Sequence, residues 1–166
     1  ELVPVGLGSD DPGFLAASPF RKVPALRDGD FTLPDSSAIV HYLEALHAAP
    51  ELIPTDPHAR GRTVWWDEFA DTILFPAAVK LFFNRVVSPR FMKRAGDLAL
   101  ADKAEREELP PILDYLESQI PERGHLVGER LTLADIAVGS LFVNLGHAGF
   151  TPDAARWPRV ATMMTA

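Results

Sequence analysis

A carboxylate and a hydroxyl, from Asp35 and Ser36, stand directly before a segment with helical periodicity at about 36–47. Apolar side chains fall on one face of this predicted helix at Ala38, Ile39, Tyr42 and Leu43. The first-turn amides of a helix are unpaired and lie at the positive end of its dipole, so this end can hold an anion. Alternatively, the Asp35 carboxylate accepts hydrogen bonds from those amides and serves only as an N-cap.

Two short apolar-rich runs precede this helix and are separated by Asp28-Gly29. This dipeptide favours a type I′ turn, because both central positions of that turn need positive φ. We predict a hairpin with strands at about 23–27 and 30–33. Residues 1–7 are also expected to form a strand, near a sheet edge or a bend because of Pro4.

Prolines at 50, 54 and 57 mark residues 49–57 as a linker, because no helix interior tolerates that density of proline. From His58 onward the periodicity is helical. Pro76 should kink or divide a long helix, and Pro110-Pro111 should bend or divide another at about 102–119.

The segment Gly128–Ala137 contains a second helix-start signal. Thr132 at the N-cap can accept from the amide of Asp135, and the Asp135 carboxylate can accept from the amide of Thr132. This reciprocal pair is a capping box, which accounts for both residues without a catalytic role.

Composition limits the classes of function. The chain has 166 residues, of which 47% are hydrophobic, and a net charge of −7, which argues against a general nucleic-acid binder. It has no cysteine, and its five histidines lack metal-ligand spacing, so we expect no metal site. No apolar run approaches the ~20 residues that span a bilayer, so no membrane partner is expected and a cytoplasmic location is the default. Basic residues cluster at Arg85, Arg90, Lys93 and Arg94, and a solvated helix end is expected there.

The segments 20–26 and Asp35-Ser36, followed about a hundred residues later by the segment 128–137, resemble the motifs of the glutathione transferase family. The resemblance implies a thioredoxin-like α/β domain at 1–48, incomplete here, then the linker and an all-α helical bundle at 58–166. It also implies that an opening strand and helix precede Glu1, and that the catalytic Tyr, Ser or Cys lies there. The catalytic residue is therefore not assigned.

The resemblance further implies glutathione as co-substrate and assigns roles to five residues. Asp35 would pair with the γ-glutamyl ammonium, and the Ser36 hydroxyl and amide would receive the γ-glutamyl carboxylate. Val23, which precedes the expected cis-proline Pro24, would offer its backbone to the cysteinyl part. Lys22 would contact the glycyl carboxylate.

The function implied by the resemblance is transfer of the glutathione thiolate to a small, apolar electrophile, by a homodimer. Two alternatives stay open, namely a non-catalytic module of this fold that binds a partner, and a glutathione-dependent reductase or isomerase. Aromatic side chains after the linker either form core or line the pocket for the electrophile, and they are Trp65, Phe69, Phe75, Phe82 and Phe83.

Overall fold

The computed structural model describes residues 1–6, 8–47, 49 and 51–164. The chain divides into two compact units, Glu1–Leu52 and Ile53–Ala166. The first unit, called the hairpin unit below, combines a two-stranded sheet with helices, and the second, the helical unit, consists of helices and loops. The α/β order followed by an all-helical part is the one predicted from the sequence.

The described residues of the hairpin unit form the elements α1 Pro12–Ala17, β1 Ala25–Asp28, β2 Phe31–Pro34 and α2 Ser36–Leu46. The strands are antiparallel, and their register runs from Ala25 opposite Pro34 to Asp28 opposite Phe31. Both helices contact both strands. The predicted hairpin and the helix after it are therefore present, with each strand ending one residue beyond its predicted end.

The hairpin turn differs from the prediction. Gly29 and Asp30 connect the strands, and of the two only Gly29 has a positive φ, of 59°. A glycine at the first central position is typical of a type II′ turn, whereas type I′ would need positive φ at both positions. The Asp28-Gly29 signal located the hairpin but placed its turn one residue too early.

The strand predicted at residues 1–7 is also wrong as far as the structure describes it. Residues 1–6 have no strand conformation, and Leu7 lies outside the described residues. A strand forms only beside a hydrogen-bonded neighbouring strand. The apolar pattern around Pro4 gives no information about such a neighbour. Within the described part of the chain the sheet has only the two hairpin strands.

The described helices of the helical unit are α3 Pro57–Phe69, α4 Phe75–Phe82, α5 Ser88–Arg90, α6 Leu98–Lys103, α7 Leu109–Gln119, α8 Leu133–His147 and α9 Pro158–Met163. Helix α8 contacts α3 and α4, and α7 contacts α9. Their shared core contains the fully buried side chains Phe69, Leu74, Leu81, Leu109, Leu113, Leu116, Val138, Leu145 and Val160.

The sequence predicted a kink or division at Pro76 and at Pro110-Pro111, but not at Pro89. The structure has a π-helical turn before each of these sites, so three such turns connect described helices. They are Ala70–Leu74, Phe83–Val87 and Ala104–Glu108, and each ends directly before an X-Pro dipeptide. In each case the residue before the proline donates its amide to the carbonyl five residues back. The wider turn shifts the hydrogen-bond ladder by one residue where the proline ring would meet a carbonyl one turn earlier.

Helix α8 begins with the predicted capping box between Thr132 and Asp135. One Asp135 carboxylate oxygen accepts from the Thr132 amide at 2.9 Å. The other accepts from the amide of Leu126 at 2.8 Å, so the same side chain also fixes the preceding loop. No helix among the described residues is both long enough and apolar enough to cross a membrane.

The basic cluster is only in part the solvated helix end that was expected. Arg90, Lys93 and Arg94 are exposed, whereas Arg85 is only 20% exposed at its side chain. The Arg85 guanidinium forms ion pairs with Asp102, at 2.8 Å, and with Glu105. These contacts join α6 and the π turns on either side of it, so Arg85 is part of the helix packing.

Candidate functional site

The start of α2 is the polar end of the hairpin unit. Asp35 is its N-cap and accepts a hydrogen bond from the amide of Ala38 at 3.0 Å. Neither the amide of Ser36 nor that of Ser37 has a hydrogen-bond partner among the described residues. Two donors at the positive end of a helix dipole are therefore free for an anion.

The backbone of Asp35 has an unusual conformation, with φ 83° and ψ 131°. Positive φ is uncommon for a residue with a side chain, and Asp and Asn adopt it more readily than most. Such strained positions persist where the surrounding structure fixes them, and they concentrate at functional sites. Here the amide of Asp35 donates to the carbonyl of Pro24 at 3.3 Å, which fixes the residue from outside its own helix.

That hydrogen bond brings together the two segments that the sequence analysis singled out. The Val23-Pro24 peptide bond is cis, and Val23 is 61% exposed. Neither the amide nor the carbonyl of Val23 has a hydrogen-bond partner within the described residues. A free backbone donor and acceptor thus lie one residue from the proline that contacts the backbone of the α2 N-cap.

Ser18 fixes the loop before Val23, and the sequence analysis did not identify it. Its buried hydroxyl donates to the carbonyl of Lys22 at 2.7 Å and accepts from the Lys22 amide at 3.0 Å. The Lys22 side chain is left exposed. A lone serine after a helix has no distinguishing pattern in sequence, so no signal could have found this role.

Tyr42 supports the site from within α2. Its phenol donates to the carboxylate of Asp28 at 2.6 Å, and its ring lies 4.9 Å from that of Phe31. The hydrogen bond to Asp28, partial burial and the Asp28 charge together raise the pKa of the Tyr42 phenol above its ordinary value. These contacts join the helix to both strands at the turn end of the hairpin.

The five predicted site residues are all exposed. Pro24 and Asp35 are in contact, and Val23 and Ser36 adjoin them in sequence, while Lys22 is held through its backbone. The arrangement offers a carboxylate, an ammonium and free backbone donors, which suits a zwitterionic peptide. No cluster of His, Cys, Asp or Glu able to hold a metal ion occurs in the described part of the chain.

Of the five aromatic residues named after the linker, Phe82 and Phe83 are half-buried, and Phe82 packs against the core. The other three separate into two groups. Phe69 is buried, and its ring lies 5.0 Å from that of Trp66 in an edge-on arrangement. Trp65 and Phe75 are 41% and 46% exposed. Phe69 is thus core, whereas two of the predicted aromatics present apolar surface.

An α/β unit with an open helix start, followed by an all-helical unit, defines a class of two-domain proteins. Family models place the chain within it. The glutathione S-transferase N-terminal domain matches residues 1–51, and the glutathione S-transferase C-terminal domain matches residues 69–161. The chain belongs to the glutathione S-transferase family, and its fold is the thioredoxin-like domain plus helical domain that the sequence predicted.

Curated relatives include a glutathione S-transferase of Hyoscyamus muticus, 34% identical over 141 residues. The match covers 82% of this chain and 66% of that protein. Elongation factor 1-gamma of Danio rerio is 35% identical over 134 residues, covering 80% of this chain and 28% of that protein. The chain therefore spans less than two thirds of the length of these relatives.

Solved structures include the theta class glutathione S-transferase from the citrus canker pathogen Xanthomonas axonopodis pv. citri, with glutathione bound. It is 27% identical to this chain, with a TM-score of 0.78. The superposition covers 94% of this chain and 72% of the other. The likeness thus extends over both units.

Proposed function

We propose that this chain binds glutathione at the start of α2 and takes part in transfer of the glutathione thiolate to a small, apolar electrophile. The hydrogen bond between the Asp35 amide and the Pro24 carbonyl carries the proposal. It joins a free backbone segment to a helix start with an exposed carboxylate. The related structure with glutathione bound supports the choice of ligand.

The predicted residues offer groups that suit the separate parts of glutathione. The exposed Asp35 carboxylate pairs with the γ-glutamyl ammonium, and the free amides of Ser36 and Ser37 receive the γ-glutamyl carboxylate. The unpaired amide and carbonyl of Val23 pair with the cysteinyl backbone like an added strand. The exposed ammonium of Lys22 pairs with the glycyl carboxylate.

The reaction forms a bond between the glutathione sulfur and an electrophilic carbon, while the thiol proton passes to solvent. The electron pair displaced from that carbon departs with a leaving group or moves to a neighbouring atom, which then takes up a proton. The thiolate is the reactive form, so an O–H or N–H donor must lower the pKa of the thiol. The residues of this chain bind and orient glutathione, which converts an encounter in solution into a positioned attack. We assign no catalytic residue.

Calorimetric titration with glutathione tests the binding site, and Asp35→Asn is the sharpest variant. Asn retains both the N-cap and the tolerance for positive φ, but it removes the charge that pairs with the ammonium. We expect the dissociation constant to rise about tenfold or more, as for the loss of a charge-assisted hydrogen bond. Ser36→Ala should weaken binding less, because its amide is retained.

Asp56→Asn is the matched control, because Asp56 is the exposed N-cap of α3 and accepts from the amides of His58 and Ala59. It removes the same charge from the same kind of position outside the proposed site. Affinity for glutathione should stay at the wild-type value. Equal affinities for wild type and Asp35→Asn, or no binding by the folded wild type, would contradict the site.

A non-catalytic module that binds a partner is the second candidate, and the likeness to elongation factor 1-gamma favours it. Turnover separates the two candidates. Glutathione and chlorodinitrobenzene, an electrophile whose conjugate absorbs in the near ultraviolet, should give a rate above the uncatalysed reaction for a transferase. Glutathione binding without turnover would favour the partner-binding module or a glutathione-dependent reductase or isomerase.

The domain bounds, the oligomeric state and the cellular location are further parts of the proposal. We propose domains at 1–48 and 58–166 with a linker at 49–57, a homodimer, and a cytoplasmic location, all on the family resemblance. Light scattering coupled to size-exclusion chromatography measures the oligomeric state directly. A mass in solution equal to that of a single chain would contradict the dimer.

A further inference from the structure

The segment 88–96, called the basic turn below, lies at one end of the helical unit, where the chain reverses between α4 and α6. Helix α6 packs against α4, so the segment between them is the turn of this helix pair. Residues 89–95 are all exposed. They include three basic residues, Arg90, Lys93 and Arg94, and no acidic one. The whole chain has a net charge of −7, so the sign of the charge is reversed locally at this turn.

The cations of the basic turn are not neutralised by neighbouring acids. Arg90 and Lys93 form no side-chain hydrogen bond or ion pair with any residue that the structure describes. Arg94 lies over the ring of Phe83, with its guanidinium carbon 6.0 Å from the ring centre. Asp97, the nearest acid along the chain, is used as the N-cap of α6. All three cationic groups therefore remain available to anions.

Two apolar side chains lie among these cations. Phe91 is 69% exposed and Met92 is 42% exposed. A single exposed apolar residue is ordinary on a protein surface. Here a phenylalanine and a methionine are adjacent, with basic residues directly before and after them. The basic turn therefore presents an amphipathic surface to solvent.

Buried polar groups hold the backbone of the basic turn in place. Ser88 is 1% exposed, and its hydroxyl lies 3.3 Å from the carbonyl oxygens of both Arg94 and Ala95. The amide of Arg94 donates to the carbonyl of Ser88 at 3.2 Å. The side-chain carbonyl of Asn84, which is also buried, accepts from the amide of Asp97 at 2.9 Å. The turn is preformed, so its apolar side chains are held in the solvent by a fixed backbone.

We propose that the basic turn is a docking surface for an anionic membrane. The basic side chains pair with the charged headgroups, and Phe91 and Met92 enter the boundary between headgroups and acyl chains. Repulsion from the acidic remainder of the chain is screened beyond a Debye length of about 8 Å at physiological ionic strength. Contact of this kind needs no membrane-spanning helix. It therefore departs from the expectation of no membrane partner, which depended on span length alone.

The shape of the basic turn favours a membrane over an acidic peptide. Peptide ligands lie in a groove or pair with the edge of a sheet. The basic turn is neither, because it is a chain reversal between two helices with residues 89–95 all exposed. A flat anionic surface can meet such a turn, and it also supplies an apolar layer for Phe91.

Cosedimentation with vesicles of phosphatidylcholine and phosphatidylserine tests the surface, and vesicles of phosphatidylcholine alone are the neutral probe. We expect wild type to bind the anionic vesicles and to be released as salt rises. The double variant Arg90→Gln with Lys93→Asn should weaken binding about fivefold for each basic residue removed. Asn is chosen because Lys93 has a φ of 52°. Lys103→Gln with Arg106→Gln, which changes two exposed bases outside the turn, should bind as wild type does.

The apolar part of the surface has its own matched pair. Phe91→Ala should weaken binding to anionic vesicles about tenfold, because it removes the apolar side chain that leaves water. Phe20→Ala changes an 87% exposed phenylalanine of the hairpin unit and should have no effect. The chain has no cysteine, so Met92→Cys provides a single site for an environment-sensitive dye. Its emission should move to shorter wavelength on anionic vesicles, and a dye at Ser118→Cys, near the far end of α7, should not respond.

No binding of folded wild type to anionic vesicles, or equal losses within both matched pairs, would overturn the proposal. Polyglutamate tests the other class of partner. If it binds through Arg90 and Lys93 while anionic vesicles do not bind, the surface recognises an acidic protein and the membrane proposal is wrong. If Phe91→Ala does not fold, the charge variants decide alone. Glutathione calorimetry on the charge variants should give the wild-type affinity, so failure here is distinguishable from failure of the proposed glutathione site.

Discussion

The hairpin unit and the helical unit hold their residues in place by different means. In the described part of the hairpin unit the buried side chains are Phe14, Ala17 and Ser18, and α2 has none. The helical unit has a continuous core around residues such as Phe69 and Leu113, both almost fully buried. Position in the hairpin unit therefore depends on individual hydrogen bonds, whereas in the helical unit it depends on close packing.

This difference suits the proposal that the hairpin unit binds glutathione. A peptide ligand needs free backbone groups, such as those of Val23 and Ser36, and a well-packed core would leave none exposed. The hydrogen bonds of Ser18 and Asp35 fix those groups without burying them. Binding segments generally come from the less stable parts of a fold, and packing elsewhere supplies the stability.

Truncation of one phenylalanine in each unit should give the largest contrast. Phe69 is 1% exposed, and Phe69→Ala should cost about 3–5 kcal/mol of unfolding free energy, because it leaves a cavity beside Trp66. Phe31 is 46% exposed and contacts Tyr42, so Phe31→Ala should cost about 1 kcal/mol. Chemical denaturation followed by circular dichroism measures both values.

All three tryptophans, Trp65, Trp66 and Trp157, lie in the helical unit, so their fluorescence reports on that unit alone. Phe69→Ala should shift the fluorescence transition strongly, and Phe31→Ala should leave it nearly unchanged. Comparable losses for the two variants would mean that the hairpin unit is as tightly packed as the helical one.

The carboxylates that cap the starts of α8 and α2, Asp135 of the capping box and the N-cap Asp35, should differ next. Asp135 accepts from the amides of Leu126 and Thr132, so Asp135→Ala leaves two partly buried donors unpaired and should cost about 2–4 kcal/mol. Asp35 accepts one exposed bond, and Asp35→Ala should cost about 1 kcal/mol in stability. Thermal and urea denaturation measure the two costs.

Function should rank these two carboxylates in the opposite order. Glutathione affinity should fall in Asp35→Ala and stay at the wild-type value in Asp135→Ala at temperatures where that variant is folded. Loss of affinity in both variants would mean that the cap at Asp35 acts only through folding.

The sequence predicts elements whose signals are local. The hairpin, α2 and the capping box of α8 each depend on residues within five positions of one another, such as Thr132 with Asp135. The closeness of Val23-Pro24 to Asp35-Ser36 could also be expected from the sequence, because the hairpin between them fixes their spacing. The family resemblance gave roles to both segments.

The features that the sequence did not predict depend on distant partners. Ser18 binds the backbone of Lys22 only because the loop returns to the end of α1. Arg85 looked like part of a solvated cluster, but its carboxylate partners come 17 and 20 residues later. The strand expected at residues 1–7 failed for the same reason, because a strand is defined by its neighbour and not by its own side chains.

Alanine substitutions at two glycines compare the stability cost of a steric clash with the cost of an unfavourable backbone conformation. A Cβ at Gly96 would lie 1.9 Å from the carbonyl oxygen of Asn84, so Gly96→Ala should cost about 1–3 kcal/mol or more by displacing one segment. Gly29 has open space but a φ of 59°, so Gly29→Ala should cost about 1–2 kcal/mol from conformation alone. Denaturant midpoints, compared between variants with equal m-values, measure the two costs.

Gly61→Ala is the control, because Gly61 lies within α3 and a Cβ there meets nothing within 4 Å. It should raise stability by up to about 1 kcal/mol. A loss of stability in Gly61→Ala similar to that in Gly96→Ala would show that the clash with Asn84 is not the cause of the cost at Gly96.

The smallest expected contrast is in pH dependence, where the two units should respond at opposite ends of the scale. Hydrogen bonds from Arg156 and Trp157 lower the pKa of Asp114 in the helical unit, so their contribution is present above the ordinary pKa of about 3.9 and is lost as the pH falls through the lowered value. The pKa of Tyr42 is raised by its hydrogen bond to Asp28, so that contact contributes below about pH 10 and is lost as the pH rises through the raised value.

Asp114→Asn should remove the acid-dependent change in Trp157 fluorescence, and Tyr42→Phe should remove the alkaline loss of hairpin structure in circular dichroism. Each variant should leave the other transition in place, because the two contacts lie in different units and share no residue. If Tyr42→Phe also altered the acid transition, the two units would unfold as one cooperative body. Their difference in packing would then not appear as two separate unfolding transitions.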